Sequence, residues 1–194
     1  MSGKVSLLDT VNMLEKFQNV MRRVPIKSLN RDENDGEHSY SLTFMAWKII
    51  TNDKLPLNLD LAIKYALAHD LVEVYAGDVL TFDDDGRANK VENERKALER
   101  LKQDQTLNNI TDTIEKYEKK ADEESLFIYG LDKLLPPVMY VASNIAVYQE
   151  FNISFDDWQK KIKPMTEKSI YLAPYYEQVL SLLKQNKHLF SEEK

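Results

Sequence analysis

Apolar residues recur along this chain at helical spacing, and little interrupts them. Leu42, Met45, Ala46, Ile49 and Ile50 fall on one helical stripe, and Leu8, Val11, Leu14 and Phe17 suggest an earlier helix that ends before Pro25. Strands joined by tight turns consume glycine, and only five glycines occur in 194 residues. The pattern predicts an all-α protein, one helical domain over residues 1–194. Asn34 or Asp35 is placed to cap the helix that carries Leu42. A third helix is expected from Asp60 to Ala76, stopped by Gly77. Helices should follow at 91–103, 107–119 and 121–135, with Pro136-Pro137 interrupting or kinking the last. Ser154-Phe155-Asp156-Asp157 reads as the cap of a further helix, and Tyr175 to Leu183 as the final one.

Charge and composition remove several functions. The formal net charge is -6 and the basic residues are scattered, so the concentrated positive footprint that a nucleic-acid polymer requires is missing. A small anionic substrate remains compatible, because one local cationic pocket outweighs a weak global repulsion. With no cysteine, disulfides and thiolate metal sites are excluded. No run approaches the roughly 18 apolar residues that span a bilayer, and Met1 to Leu8 lacks a signal-peptide layout, so the expected compartment is the cytoplasm. Phosphate-cradling glycine loops are absent. The polar segment Thr81 to Asn89 reads as a loop; its Thr81, Asp83, Asp85, Gly86 and Glu92 imitate a calcium loop, but Thr81 stands where that loop needs a carboxylate.

The chemistry concentrates where ionisable residues interrupt apolar stripes. His38 stands four residues before Leu42, at the start of the buried stripe. Tyr65-Ala66-Leu67-Ala68 delivers His69, Asp70 and Glu73 into an interior. Asp132 shares a stripe with Ile128, Leu135 and Met139, and Pro136 has no N–H for its carbonyl. Burying such groups is costly unless they are paired or bind a metal. Two readings stay open from the residues alone. The histidines can be hydrogen-bonded core residues, with Asp132 paired to Lys133 or an arginine. Together, two imidazoles and two carboxylates also make a mixed set suited to a divalent metal. His188, in Lys187-His188-Leu189, reads as a surface residue, and Trp47 and Trp158 as core or interface.

The order His38 … His69-Asp70 … Asp132 resembles the HD-domain phosphohydrolase superfamily. Glu33-Asn34-Asp35-Gly36-Glu37-His38-Ser39 is similar to the first-histidine motif of its bacterial 5′-deoxynucleotidase branch. Ala66 to Asp78, through His69-Asp70-Leu71-Val72-Glu73 and Gly77-Asp78, is similar to the second. Glu94 to Glu99 and Leu131-Asp132-Lys133-Leu134 resemble later segments, and the resemblance covers about residues 10 to 150. It implies an HD-type helical bundle in which His38, His69, Asp70 and Asp132 hold one divalent ion: cobalt, manganese, zinc or magnesium. It implies Glu73 as the catalytic carboxylate, and Asp78 as an acid for substrate contact or proton transfer. Arg23, in Arg23-Val24-Pro25, would contact the substrate phosphate. Lys90 is a weaker phosphate candidate, set against a solvated surface lysine. Val24 departs from the branch, which carries a tryptophan against the sugar at that place. The implied reaction removes phosphate from (deoxy)nucleoside 5′-monophosphates, with a homodimer as the implied assembly. A triphosphohydrolase and a non-catalytic nucleotide-binding domain are the alternatives.

Overall fold

The computed structural model describes residues 4–83, 86, 88–104, 106, 107 and 110–192. Its helices are α1 (Leu7–Gln18), α2 (Asp35–Asn52), α3 (Leu59–Ala68), α4 (Glu73–Ala76), α5 (Lys90–Gln103), α6 (Thr111–Lys119), α7 (Glu123–Ser143), α8 (Val147–Glu150), α9 (Phe155–Thr166) and α10 (Ala173–Gln185). The helical expectation holds, with one addition. Met21–Ile26 (β1) and Arg31–Asn34 (β2) form an antiparallel hairpin between α1 and α2, pairing Ile26 with Arg31 and Pro25 with Asp32. A lone hairpin is too short to leave a strong alternation signal, and Arg, Pro and Asp occupy positions where a strand signal would need β-branched residues.

Local chemistry fixes several helix starts. Asn34 caps α2 in a reciprocal box with Glu37, Asn58 caps α3, Asp122 caps α7 and Ser154 caps α9. Three expected boundaries need correction. The helix predicted over 60–76 stops at Ala68. The chain then tightens into i→i+3 bonds, Leu71 N–H to the Ala68 carbonyl and Glu73 N–H to the Asp70 carbonyl, before α4 forms and Gly77 ends it at φ 78°. Pro136 and Pro137 do not interrupt α7, which continues to Ser143. Tertiary packing overrides the proline penalty here: α2, α3, α6, α9, α10 and β1 all pack on α7. The expected 107–119 helix begins at Thr111, and part of the 81–89 loop, including Asp85 of the calcium-loop imitation, lies outside the described residues.

The larger core cluster joins Leu42, Ala46, Tyr65, Ala66, Phe127, Ile128 and Trp158, the last fully buried. A second cluster joins Met13, Phe17, Ala68, Val72, Leu101 and Ile114. Helix α3 feeds both, Ala66 the first and Ala68 the second, and His69 comes directly after. Gly130 lets α7 approach the α9–α10 segment: a Cβ there would meet Leu172 Cδ1 at 2.5 Å and the Thr166 Cα at 3.3 Å. No helix among the described residues is long and apolar enough to cross a membrane.

Candidate metal centre and active site

Three elements bring the ionisable residues together. Helix α2 supplies His38, the turn after α3 supplies His69 and Asp70, and the middle of α7 supplies Asp132. His38 Nε2 lies 2.9 Å from Asp132 Oδ1, and His69 Nε2 lies 2.8 Å from Asp70 Oδ2 and 3.9 Å from Asp132 Oδ1. The two imidazole rings are 5.4 Å apart, centroid to centroid. Both histidines and Asp132 are buried, and Asp70 is nearly so.

Proton placement tests whether a cation fits. His69 Nδ1 lies 2.9 Å from the Ala66 carbonyl, which only accepts, so Nδ1 carries the proton and donates it there. In the neutral ring that leaves a lone pair on Nε2, a buried atom without a hydrogen-bond partner that faces two carboxylate oxygens. Lone pairs converge there, and a cation between them turns repulsion into coordination. His38 is arranged alike: its Nδ1 donates to Glu33 Oε1 at 3.2 Å, which directs Nε2 at Asp132. Ligand atoms about 2.0–2.2 Å from a transition metal stand about 3–4 Å apart, close to the spacings found. His38, His69 and Asp70 offer atoms within 4.8 Å of one another, and Asp132 Oδ1 completes the set through His38 and His69.

Electrostatics point the same way. Burial and nearby Arg22 push the His38 imidazole down, but its bonds to Asp132 and Glu33 outweigh them and lift it to about 9. Burial pushes Asp70 up, yet His69 and Arg22 hold it below the ordinary carboxylate range. Burial also works against ionised Asp132, and Lys133, His38 and His69 bring it well below. Glu73 is raised, first by burial and then by Asp70 and Asp78, with Lys90 offsetting only part. Burial and Asp70 raise Asp35 to about 7 despite its bond to Arg22. The acids Glu33, Asp35, Asp70, Glu73, Asp78 and Asp132 outnumber their partners Arg22, Lys90 and Lys133. Such a pocket attracts cations.

A cleft opens beside the four metal-ligand candidates. Its charged side carries Glu73, Asp78, Lys90 and Lys133, and its apolar wall carries Val24, Phe82, Tyr140 and Tyr148. Glu73 sits in α4, buried, with Lys90 Nζ 3.2 Å from its Oε1 and its Oε2 without a hydrogen-bond partner. Lys90 is not a solvated lysine: it is mostly buried between Glu73 and Glu94. Asp78 lines the cleft 3.9 Å from Arg22.

The two consecutive arginines divide. Strand alternation turns Arg22 and Val24 inward and Arg23 outward. Arg23 is 57% exposed at the cleft rim, paired with Glu150 at 3.0 Å. Arg22, which the sequence reading passed over, lies inside: its Nη1 is 2.7 Å from Asp70 and 3.2 Å from Asp35. Tyr140 anchors this strand by donating its hydroxyl to the Arg23 carbonyl at 3.1 Å. Glu33 is a second residue whose role the sequence did not reveal, although it opens the first-histidine motif. Away from the site, His188 bonds Asn144 at an exposed position.

Comparison with known proteins places this geometry. A family model described as "HD domain" matches residues 14–172, twenty-odd residues beyond the end of the resemblance read from the sequence. The chain is 31% identical over 136 residues to 5′-deoxynucleotidase HDDC2 of Xenopus laevis, covering 68% of this chain and 66% of that protein. It is 27% identical over 135 residues to the Homo sapiens protein of that name, covering 68% and 65%. The matched stretch thus spans just under two thirds of these relatives' length. A solved structure of a predicted metal-dependent phosphohydrolase from Magnetospirillum magnetotacticum superposes with a TM-score of 0.79 at 23% identity, over 95% of this chain and 94% of that one. A Pyrococcus horikoshii protein superposes with a TM-score of 0.67 at 16% identity, over 91% and 99%. At those identities the superpositions establish the fold, while the family match runs through both histidine motifs and Asp132: the chain belongs to the HD-domain family.

Proposed function

We propose that residues 1–194 form one HD-type domain that acts as a metal-dependent phosphohydrolase, removing phosphate from nucleoside 5′-monophosphates, deoxyribonucleotides foremost. The observation that carries this reading is the convergence of two imidazole nitrogens and two carboxylates at a buried point. That point borders a cleft with a raised-pKa carboxylate on one side and an apolar wall on the other. The relatives named 5′-deoxynucleotidase support the substrate class.

His38, His69, Asp70 and Asp132 would hold one divalent ion, with cobalt, manganese, zinc and magnesium all compatible with the mixed donor set. When bound, that ion supplies Lewis-acid polarisation of the phosphoryl group and a lowered pKa for water. The chain's own groups do the rest. A water oxygen attacks phosphorus, the P–O5′ bond breaks with its electron pair on O5′, and O5′ takes up a proton. Glu73, held by burial above the ordinary carboxylate range, accepts the attacking water's proton in its ionised form. Lys90 fixes the Glu73 carboxylate. Asp78 hydrogen-bonds the substrate near the leaving oxygen. Arg22 within and Arg23 at the rim bring guanidinium charge to the phosphate, Arg22 by exchanging a carboxylate partner for it. Val24, Tyr140 and Tyr148 face the nucleoside. Valine covers less area than the tryptophan of the bacterial branch, so sugar discrimination here rests on the rest of this wall. Phosphate release from a nucleotide panel tests the reading.

The same family reading carries a homodimer, and one surface favours it. Tyr40, Phe44 and Trp47 project from α2 and Leu7, Val11 and Leu14 from α1, each about half exposed or more. These are i, i+4, i+7 stripes on helices that pack together, beside a groove that includes Leu14, Tyr40 and Leu67. Apolar patches of this kind mark interaction surfaces, and a second copy covers it symmetrically. Phe44→Lys should convert a dimer to a monomer in sedimentation; a wild-type monomer at micromolar concentration would remove the proposal.

A further inference from the structure

The cations around the cleft are not equivalent. Arg22 is shared among Glu33, Asp35, Asp70, Glu73 and Asp78. Lys90 is shared between Glu73 and Glu94, and Arg23 sits outside with Asp32 and Glu150. Lys133 differs. It follows a candidate metal ligand on α7, lines the cleft, and is 18% exposed. Among the described residues its ion-pair partner is Asp132, through Oδ2 at 2.6 Å. Asp132 Oδ1 is turned the other way, toward His38 and His69. The two oxygens of one carboxylate are thus divided between the metal-ligand cluster and an ammonium at the cleft wall.

This division has a chemical consequence. Once Asp132 gives its charge to a divalent ion, Lys133 keeps an ammonium that no other described carboxylate within salt-bridge distance neutralises. An ammonium has three donors and one is used by Asp132. The ammonium also lies 5.7 Å from the ring centroid of Tyr129, one helical turn back on α7. We infer that Lys133 binds a non-bridging oxygen of the substrate phosphate and keeps hold of the phosphate product, acting as the phosphate-binding lysine of this site. The inference rests on the phosphohydrolase reading above. It adds a residue in direct contact with substrate, where the ion pair alone would suggest only a group that orients Asp132.

The experiment measures metal content and inorganic-phosphate binding separately. Wild type, Lys133→Gln and Lys133→Arg are loaded with manganese, assayed for bound metal, and titrated with inorganic phosphate by calorimetry. Circular dichroism checks that each is folded. A charge-assisted hydrogen bond lost from a partly buried site weakens binding about ten- to a hundred-fold. Lys133→Gln should show that loss of phosphate affinity at wild-type metal stoichiometry. Lys133→Arg should recover part of it, and serves as the test if the glutamine variant does not fold. Weakened metal binding with unchanged phosphate affinity at saturating metal would overturn the inference and leave Lys133 as a positioning residue for Asp132. Metal-loaded wild type that neither binds phosphate nor hydrolyses any nucleotide would overturn the phosphohydrolase reading itself, and this inference with it.

Discussion

Glu33 gives the sharpest quantitative handle on the metal centre, because it acts on one ligand without touching the metal position. Its buried carboxylate accepts the Nδ1 proton of His38 at 3.2 Å, on the ring edge opposite Asp132. That bond keeps Nδ1 protonated, so that Nε2 is the nitrogen left to a metal, and raises the ring's basicity. Glu33→Gln keeps an acceptor but removes the charge. Glu33→Ala removes both and leaves a buried N–H unpaired. Partners of this kind contribute about 10–100-fold to metal affinity. The glutamine variant should therefore bind metal about tenfold more weakly, ~1.4 kcal/mol, and the alanine variant about a hundredfold, ~2.7 kcal/mol. Arg22 lies 3.6 Å from Glu33 but retains Asp70 and Asp35 in both variants, so its charge stays anchored. Competition between metal-free protein and a fluorescent chelator, at fixed pH with manganese or cobalt, reads the affinities. A folded Glu33→Ala variant that binds metal as tightly as wild type would refute the orienting role and the assignment of His38 Nε2 as a ligand.

Other outcomes follow from the same geometry. Asp132→Ala should abolish stoichiometric metal and turnover together, measured by elemental analysis and phosphate release; retained metal would show that the fourth ligand is misplaced. Glu73→Gln should keep the metal and lose turnover by about 10²–10⁴-fold, the usual worth of a positioned acid or base; near-normal kcat would remove Glu73 from the mechanism. Gly130→Ala should destabilise the fold by about 1–2 kcal/mol, since overpacking against Leu172 and the Thr166 backbone exceeds the roughly 1 kcal/mol gained in helix propensity. Thermal unfolding checks that sign, and a raised Tm would contradict it.

The metal-ligand candidates were legible because burial and charge conflict visibly in sequence. His38, His69 and Asp132 interrupt apolar stripes, and a periodic reading finds such interruptions without knowing the fold. Arg22 was not legible. Adjacent residues on a strand face opposite sides, and nothing local says which of two arginines faces inward until the hairpin's pairing is known. The break after Ala68 was missed for a related reason. Tyr65 to Ala76 is uniformly compatible with a helix, and what stops it is the placement of His69 and Asp70 against α2 and α7, a tertiary demand. The helix end expected at 135 erred in the opposite direction: the helix continues through Pro136-Pro137, where a local breaker is overruled by the packing of α7 on several neighbours. Lys90 read as surface because its partner Glu73 is seventeen residues away, beyond any helical pairing rule.

The central claim is tested most directly by phosphate release from ribo- and deoxyribonucleoside mono- and triphosphates, using protein stripped of metal and then reloaded with cobalt, manganese, magnesium or zinc. The account predicts free phosphate from 5′-monophosphates, deoxyribonucleotides foremost, restored by metal and absent in Asp132→Ala. Triphosphate released from deoxynucleoside triphosphates, or silence across the panel with metal bound, would contradict it, the first in favour of a triphosphohydrolase and the second of a nucleotide-binding domain without catalysis.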